Sequence, residues 1–184
     1  MHNAWPDWIS EDIHRIVSVD VETAGPNPAD YALLSVGACT LGTPRKEFYV
    51  ELKPVSIKED KQASEIHQLD MDELSRSGEP PALAMQKMAD WLLEVIPVGN
   101  LPLFLGFNAP FDWMFVCDYF HRFLGYNPFG HSALDIRSFY MGLNRAKWIE
   151  TRMAEISNRA LQHNALEDAC DQAELFKQII MGST

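Results

Sequence analysis

The sequence predicts an α/β domain built on a mixed sheet, and three observations predict it. Short β-branched runs come first, at residues 13–21, 32–41 and 47–52. Segments with helically spaced apolar residues come later, at 82–96, 111–124 and 165 to about 180. Two further short apolar runs, 102–106 and 133–135, lie between those helices. A meander of three strands followed by strands alternating with helices indicates antiparallel pairing first and parallel pairing after it.

Taken in order, residues 13–21 (IHRIVSVDV) read as a buried strand that stops at the breaker run Ala24-Gly25-Pro26-Asn27-Pro28. Gly42-Thr43-Pro44 turns the second strand into the third. Residues 54–81 are polar and hold two short helical turns, around Ile66 and Leu74. Leu83, Met85, Met88, Ala89, Leu92 and Ile96 recur at helical spacing. Phe111, Trp113, Phe115, Tyr119, Phe120 and Phe123 do the same, and their place is the core, with Phe111, beside Asp112, the candidate exception that stacks on a base. A helix follows the last strand from Ile136 to about Leu143, and Asn164 with Glu167 reads as the reciprocal cap of the final one.

The bulk numbers set bounds. A chain of 184 residues with 47% hydrophobic content suits one domain with a sizeable core. No apolar run reaches the ~18 residues of a membrane span, and residues 1–12 lack a basic region followed by an apolar stretch, so neither membrane nor secretion is expected. Cys39, Cys117 and Cys170 are far apart in apolar settings and read as reduced thiols of a cytoplasmic protein. A net charge of −11 argues against a sequence-specific DNA binder, which carries a basic face. It leaves open an enzyme that grips a polyanion through bound cations.

The chemistry lies in the acids. Asp20-Val21-Glu22 stands at the end of the first strand, and alternation puts both carboxylates on one face. Two such charges near a core repel unless a cation lies between them, and Mg²⁺ or Mn²⁺ takes carboxylate oxygens readily. The bland alternative is a solvated strand end. Asp112 opens a helix after the turn 106–110, where the helix dipole alone would favour an acid. His163 precedes the Asn164 cap, and Asp168 lies one turn into the last helix. His2/Asp7 and His67/Asp72 share that spacing, but position disfavours them, in a chain terminus and in the irregular polar stretch.

Asp20-Val21-Glu22-Thr23, Asn108-x-x-x-Asp112 and His163-x-x-x-x-Asp168, in that order, resemble the three motifs of the DEDD (DnaQ-like) 3′→5′ exonucleases. The histidine matches the DEDDh subtype, which includes ribonuclease T and oligoribonuclease. The resemblance covers roughly residues 13–181, leaving 1–12 as an N-terminal extension and 13–184 as the exonuclease domain. It departs at Ala24, where many members carry a second Thr, and at Phe107, where His is frequent.

The resemblance implies a ribonuclease H-like fold, a five-stranded mixed sheet flanked by helices. It also implies two divalent ions held by Asp20, Glu22, Asp112 and Asp168, with Asp20 between them. Paired ions clamp the attacking and leaving oxygens of an in-line displacement, and His163 would take the proton of the attacking water. The implied partner is the 3′ end of a single strand, DNA or RNA, and some relatives dimerise. Thr23 and Ala24 are expected to line the terminal-nucleotide pocket through backbone groups, with Asn108 and Phe111 beside them. In residues 144–160, Arg145, Lys147, Arg152 and Arg159 outnumber Glu150 and Glu155. Arg145, Lys147 and Trp148 are therefore candidate strand contacts, against the alternative of an ordinary solvated helix. Asp135 reads as structural at its strand-to-helix junction, against the alternative that it supports the metal ligands. The rival function is a non-catalytic binding or scaffold subunit on the same fold.

Overall fold

The computed structural model describes residues 5–157 and 163–182. Its elements are α1 (Asp7–Ser10), β1 (Ile16–Thr23), β2 (Leu33–Thr40), β3 (Glu47–Glu51), α2 (Lys61–His67), α3 (Met71–Ser77), α4 (Pro81–Val95), β4 (Leu103–Gly106), α5 (Pro110–Leu124), β5 (Ala133–Asp135), α6 (Ile136–Asn144), α7 (Met153–Ile156) and α8 (Ala165–Ile180). The sheet order is β3-β2-β1-β4-β5. β1 pairs antiparallel with β2 and parallel with β4, while β2–β3 is antiparallel and β4–β5 parallel. The expected α/β fold, a meander extended by two parallel strands, is the fold observed.

Strand alternation sorts the core into two layers. Val17, Val19 and Val21 of β1 pack with Met85, Met88, Phe115 and Tyr119 of α4 and α5. Ile16 faces the opposite way, toward Ile136, Ala173, Phe176 and Ile179 of α6 and α8. By the period of two, Ser18, Asp20 and Glu22 share that second face. The first layer also satisfies its polar tip, since the Tyr119 hydroxyl accepts a hydrogen bond from the Leu33 N–H at 2.8 Å.

Helix boundaries follow their chemistry. Pro81 and Pro110 occupy first-turn positions that need no N–H. Asp60, Asp70 and Asn164 cap α2, α3 and α8 by accepting from backbone N–H groups one turn in. Gly125 ends α5 at φ 79°, the left-handed conformation in which glycine has no steric cost. The Glu167 half of the expected reciprocal cap is not formed: among the described residues no bond runs from its carboxylate to Asn164, and Asp168 instead reaches back to the His163 N–H.

Three other differences are informative. Residues Ile13–Arg15 form a 3₁₀ turn, so the strand begins at Ile16. Buried Ile13 looks like strand in a sequence because burial and β propensity use the same residue types. At its other end β1 runs on to Thr23, with a register shift between Glu22 and Thr23. Asp20 and Glu22 thus sit inside the strand, held by pairing with β2, and not at its end. Residues 144–157 form a 3₁₀ turn, Trp148–Thr151, and the one-turn α7, not one amphipathic helix. Ahead of the sheet, Ile9 of α1 is buried beside Ile13 and Ile16.

Candidate active site

The site forms where β1 and β4 part. Their parallel pairing ends at Ser18↔Leu105, so the edge of β1 beyond Ser18 has no strand beside it. Asp112 of α5 fills that edge, and its Oδ1 accepts the Val21 N–H at 3.2 Å. A buried N–H without a partner would be costly, so this bond fixes Asp112 beside Asp20 and Glu22 whether or not a ligand is bound.

The fourth acid comes from α8. Gly37 of β2 pairs with Asp20, and a Cβ at Gly37 would overlap the backbone of Ala165 and Leu166. The missing side chain lets the first turn of α8 rest directly on the sheet, one strand away from Asp20. Asp168, in that turn, is 3% exposed and accepts the His163 N–H at 3.0 Å through Oδ2. One ligand oxygen from each of Asp20, Glu22 and Asp168 lies within 4.8 Å of the others.

This arrangement strains the charges. Burial, reinforced by Asp112, Asp168 and Glu22, holds the Asp20 carboxyl well above its ordinary range. Burial first, and Asp168 second, pushes Glu22 to about 7. Burial pushes Asp112 to about 8, against the lowering effect of backbone hydrogen bonds from its own N–H and Val21. Four acids enclosed together cannot all ionise without compensating positive charge. All of their donors are oxygens, which suits a hard divalent cation over a thiophilic one.

The acids form the floor of a cleft of about 550 Å³. Of the sequence candidates, Asp20, Glu22, Thr23, Asn108, Phe111, Asp112, His163 and Asp168 line it. Asn108 (φ 63°) and His163 (φ 58°) both adopt the left-handed conformation, and their residue types tolerate it better than most. Ala24 is placed differently. It is fully buried, its N–H donates to the Ala32 carbonyl, its carbonyl accepts from the Asp60 N–H, and it does not line the cleft. Arg145, Lys147 and Trp148 are exposed on the adjoining turn and do not line the cleft; Arg159 lies outside the described residues.

Gln172 and Arg137 were not singled out by sequence reasoning, whereas Asp135 was. Gln172, 1% exposed, donates to Asp20 and accepts from the Phe107 N–H. Asp135 accepts the Ala109 N–H through Oδ2 and the Ser138 N–H through Oδ1, so its structural role is to hold the turn that carries Asn108. Arg137 stacks on Trp148, with its guanidinium carbon 3.9 Å from the ring centroid and 5.9 Å from that of Phe107. Gln62, Ala63, Ile66 and His67 of α2 also line the cleft. His67 was disfavoured for lying in a polar stretch, and that stretch is a cleft wall. The one available signal was Asp60, an N-cap residue ahead of an apolar Ile66.

Solved structures share this architecture. The nuclease domain of 3'hExo bound to rAMP, described as a DEDDh family member, superposes with a TM-score of 0.74 at 14% identity, covering 94% of each chain. Escherichia coli Exonuclease I in complex with a dT13 oligonucleotide gives 0.68 at 18% identity, over 89% of this chain and 40% of that one. A 3′-exonuclease recognising a histone mRNA stem-loop gives 0.74 at 13% identity, over 94% of this chain and 65% of that one. The fold is thus the ribonuclease H-like fold of these exonucleases, with an acidic cleft at the end of the sheet.

The sequence places it more narrowly. The chain belongs to the 3'-5' exoribonuclease Rv2179c-like domain family, which matches residues 15–180. It is also 45% identical over 173 residues to the 3'-5' DNA exonuclease Cap18 of Escherichia coli, covering 91% of this chain and 92% of that protein.

Proposed function

We propose that the protein removes nucleotides one at a time from the 3′ end of a single strand by the DEDDh scheme, releasing nucleoside 5′-monophosphates. The observation that carries this reading is the convergence of Asp20, Glu22 and Asp168 within one coordination radius, with Asp112 and His163 on the same cleft. Asp20, Glu22, Asp112 and Asp168 would hold two divalent cations, Mg²⁺ or Mn²⁺. Such ions supply Lewis-acid activation of water and charge neutralisation at the scissile phosphate.

The chain's own residues do the rest. His163 accepts a proton from the attacking water as the new P–O bond forms and the bond to the 3′ oxygen breaks. Its backbone N–H is tied to Asp168, which supports a place for His163 beside the acids. Thr23, Asn108 and Phe111 form the pocket of the terminal nucleotide. Arg145, Lys147 and Trp148, joined by Arg137, receive the strand behind it. Arg137 has no carboxylate partner among the described residues, and Trp148 is 51% exposed.

Single-stranded DNA is the preferred substrate in this reading, supported by the 45% identity to a DNA exonuclease over nearly the full length of both chains. The test uses matched DNA and RNA oligonucleotides labelled at the 5′ end, with Mn²⁺ or Mg²⁺ and with chelator. Ladders shortening from the 3′ end in metal alone are expected, faster for DNA. Intact label in Mn²⁺ would refute the activity, and faster loss of RNA would reverse the preference.

A further inference from the structure

We propose that Gln172 is a positioning residue that fixes the orientation of the Asp20 carboxylate. Gln172 stands four residues after Asp168, on the same face of α8, with its side chain enclosed. Its Oε1 accepts the Phe107 N–H at 2.9 Å, and its Nε2 donates to Asp20 Oδ1 at 2.5 Å.

The chemistry of the amide makes this contact directional. A backbone N–H pairs only with an acceptor, so Phe107 claims the amide oxygen and turns the NH₂ group toward Asp20. The carboxylate then has one oxygen engaged by a neutral donor, and Oδ2 has no hydrogen-bond partner among the described residues. Partners that orient a metal-binding carboxylate in this way tune both affinity and rate. Through Phe107 the same amide reaches the turn that carries Asn108, so one side chain sets the ligand strand and the substrate turn relative to each other.

A competing role is a brace for the Phe107 turn alone, and two variants separate the roles. Gln172→Glu keeps an oxygen for the Phe107 N–H and nearly the same shape, but offers Asp20 no amide donor and sets a carboxylate beside it. Gln172→Met keeps length and removes both bonds. Positioning predicts that both variants lose ~10- to 100-fold in kcat or in Mn²⁺ affinity, the range for partners that orient a ligand, with KM little changed. Mn²⁺ affinity is measured by calorimetry on the protein without substrate.

Wild-type kcat and Mn²⁺ affinity in Gln172→Glu would overturn the proposal, as would a change confined to KM in either variant. If Gln172→Met does not fold, Gln172→Glu carries the decision. The inference rests on the metal-dependent reading above, but the two fail differently. Wild-type protein that binds Mn²⁺ yet cuts no oligonucleotide counts against the exonuclease reading, and the calorimetric comparison still decides the role of Gln172.

Discussion

At the scale of single residues, Asp20 is central because three constraints meet on it: the β2 pairing at Gly37, the Gln172 amide and the neighbouring acids. Asp20→Ala is therefore expected to abolish turnover, and a tenth of the wild-type rate in saturating Mn²⁺ would refute its place in the site. His163→Ala is expected to lower turnover by ~10²–10⁴, the contribution of a positioned base, while calorimetry shows unchanged Mn²⁺ binding. Loss of Mn²⁺ binding in that variant would make His163 a ligand. The acids were legible as a set, because alternation put Asp20 and Glu22 on one face and the order of the three motifs joined Asp112 and Asp168 to them; taken singly, each had a bland reading. Gln172 was not, because what distinguishes it is a hydrogen bond to a residue 152 positions away. Nothing beside it in the chain marks that partner.

Among the elements, α8 was the most readable, since Asn164 starts it and its apolar period persists to Ile180. The 3₁₀ turn at Ile13–Arg15 was unreadable for the opposite reason, its apolar residue being equally at home in a strand. The packing of α8 on β2 gives a direct prediction. Gly37→Ala must move the first turn of the helix off the sheet, because the obstruction is backbone on the helix side. Overpacking of this kind costs ~1–3 kcal/mol. Turnover should fall further than that loss of stability explains, because Asp168 moves with the turn. Thermal unfolding and kcat on the same sample check it, and retained kcat with a lowered Tm would show that Asp168 tolerates the shift. The 3₁₀ turn at Trp148–Thr151 gives another. If it receives the strand, Arg145→Ala with Lys147→Ala should weaken binding of a non-hydrolysable oligonucleotide. The salt dependence of binding should also lessen by ~0.7 in slope for each phosphate no longer neutralised. An unchanged slope and affinity would make it ordinary surface.

For the molecule as a whole, a net charge of −11 and an acidic cleft make stability depend on metal and pH together. The raised groups bind protons in the folded state that the unfolded chain has already released above pH ~4–5. Stability of the metal-free protein therefore declines as pH rises through about 7 and about 8, the folded values of Glu22 and Asp112. His67, lowered by burial, acts in the opposite sense, and chiefly below neutrality. In chelator the Tm should accordingly be lower at pH 8.5 than at pH 6.5, and Mn²⁺ should raise it more at pH 8.5. A chelated Tm that rises over that interval would contradict the charge arrangement.

The distance along the chain between Asp20 and Gln172 also orders events in time. Synthesis runs from the N-terminus, so the strand bearing Asp20 and Glu22 and the helix bearing Asp112 emerge well before α8. Until residues 165–180 arrive and settle on Gly37, the nascent protein holds two of its three motifs but no closed cluster. A chain that ends before α8 lacks Asp168 and the acid cluster that Asp168 completes.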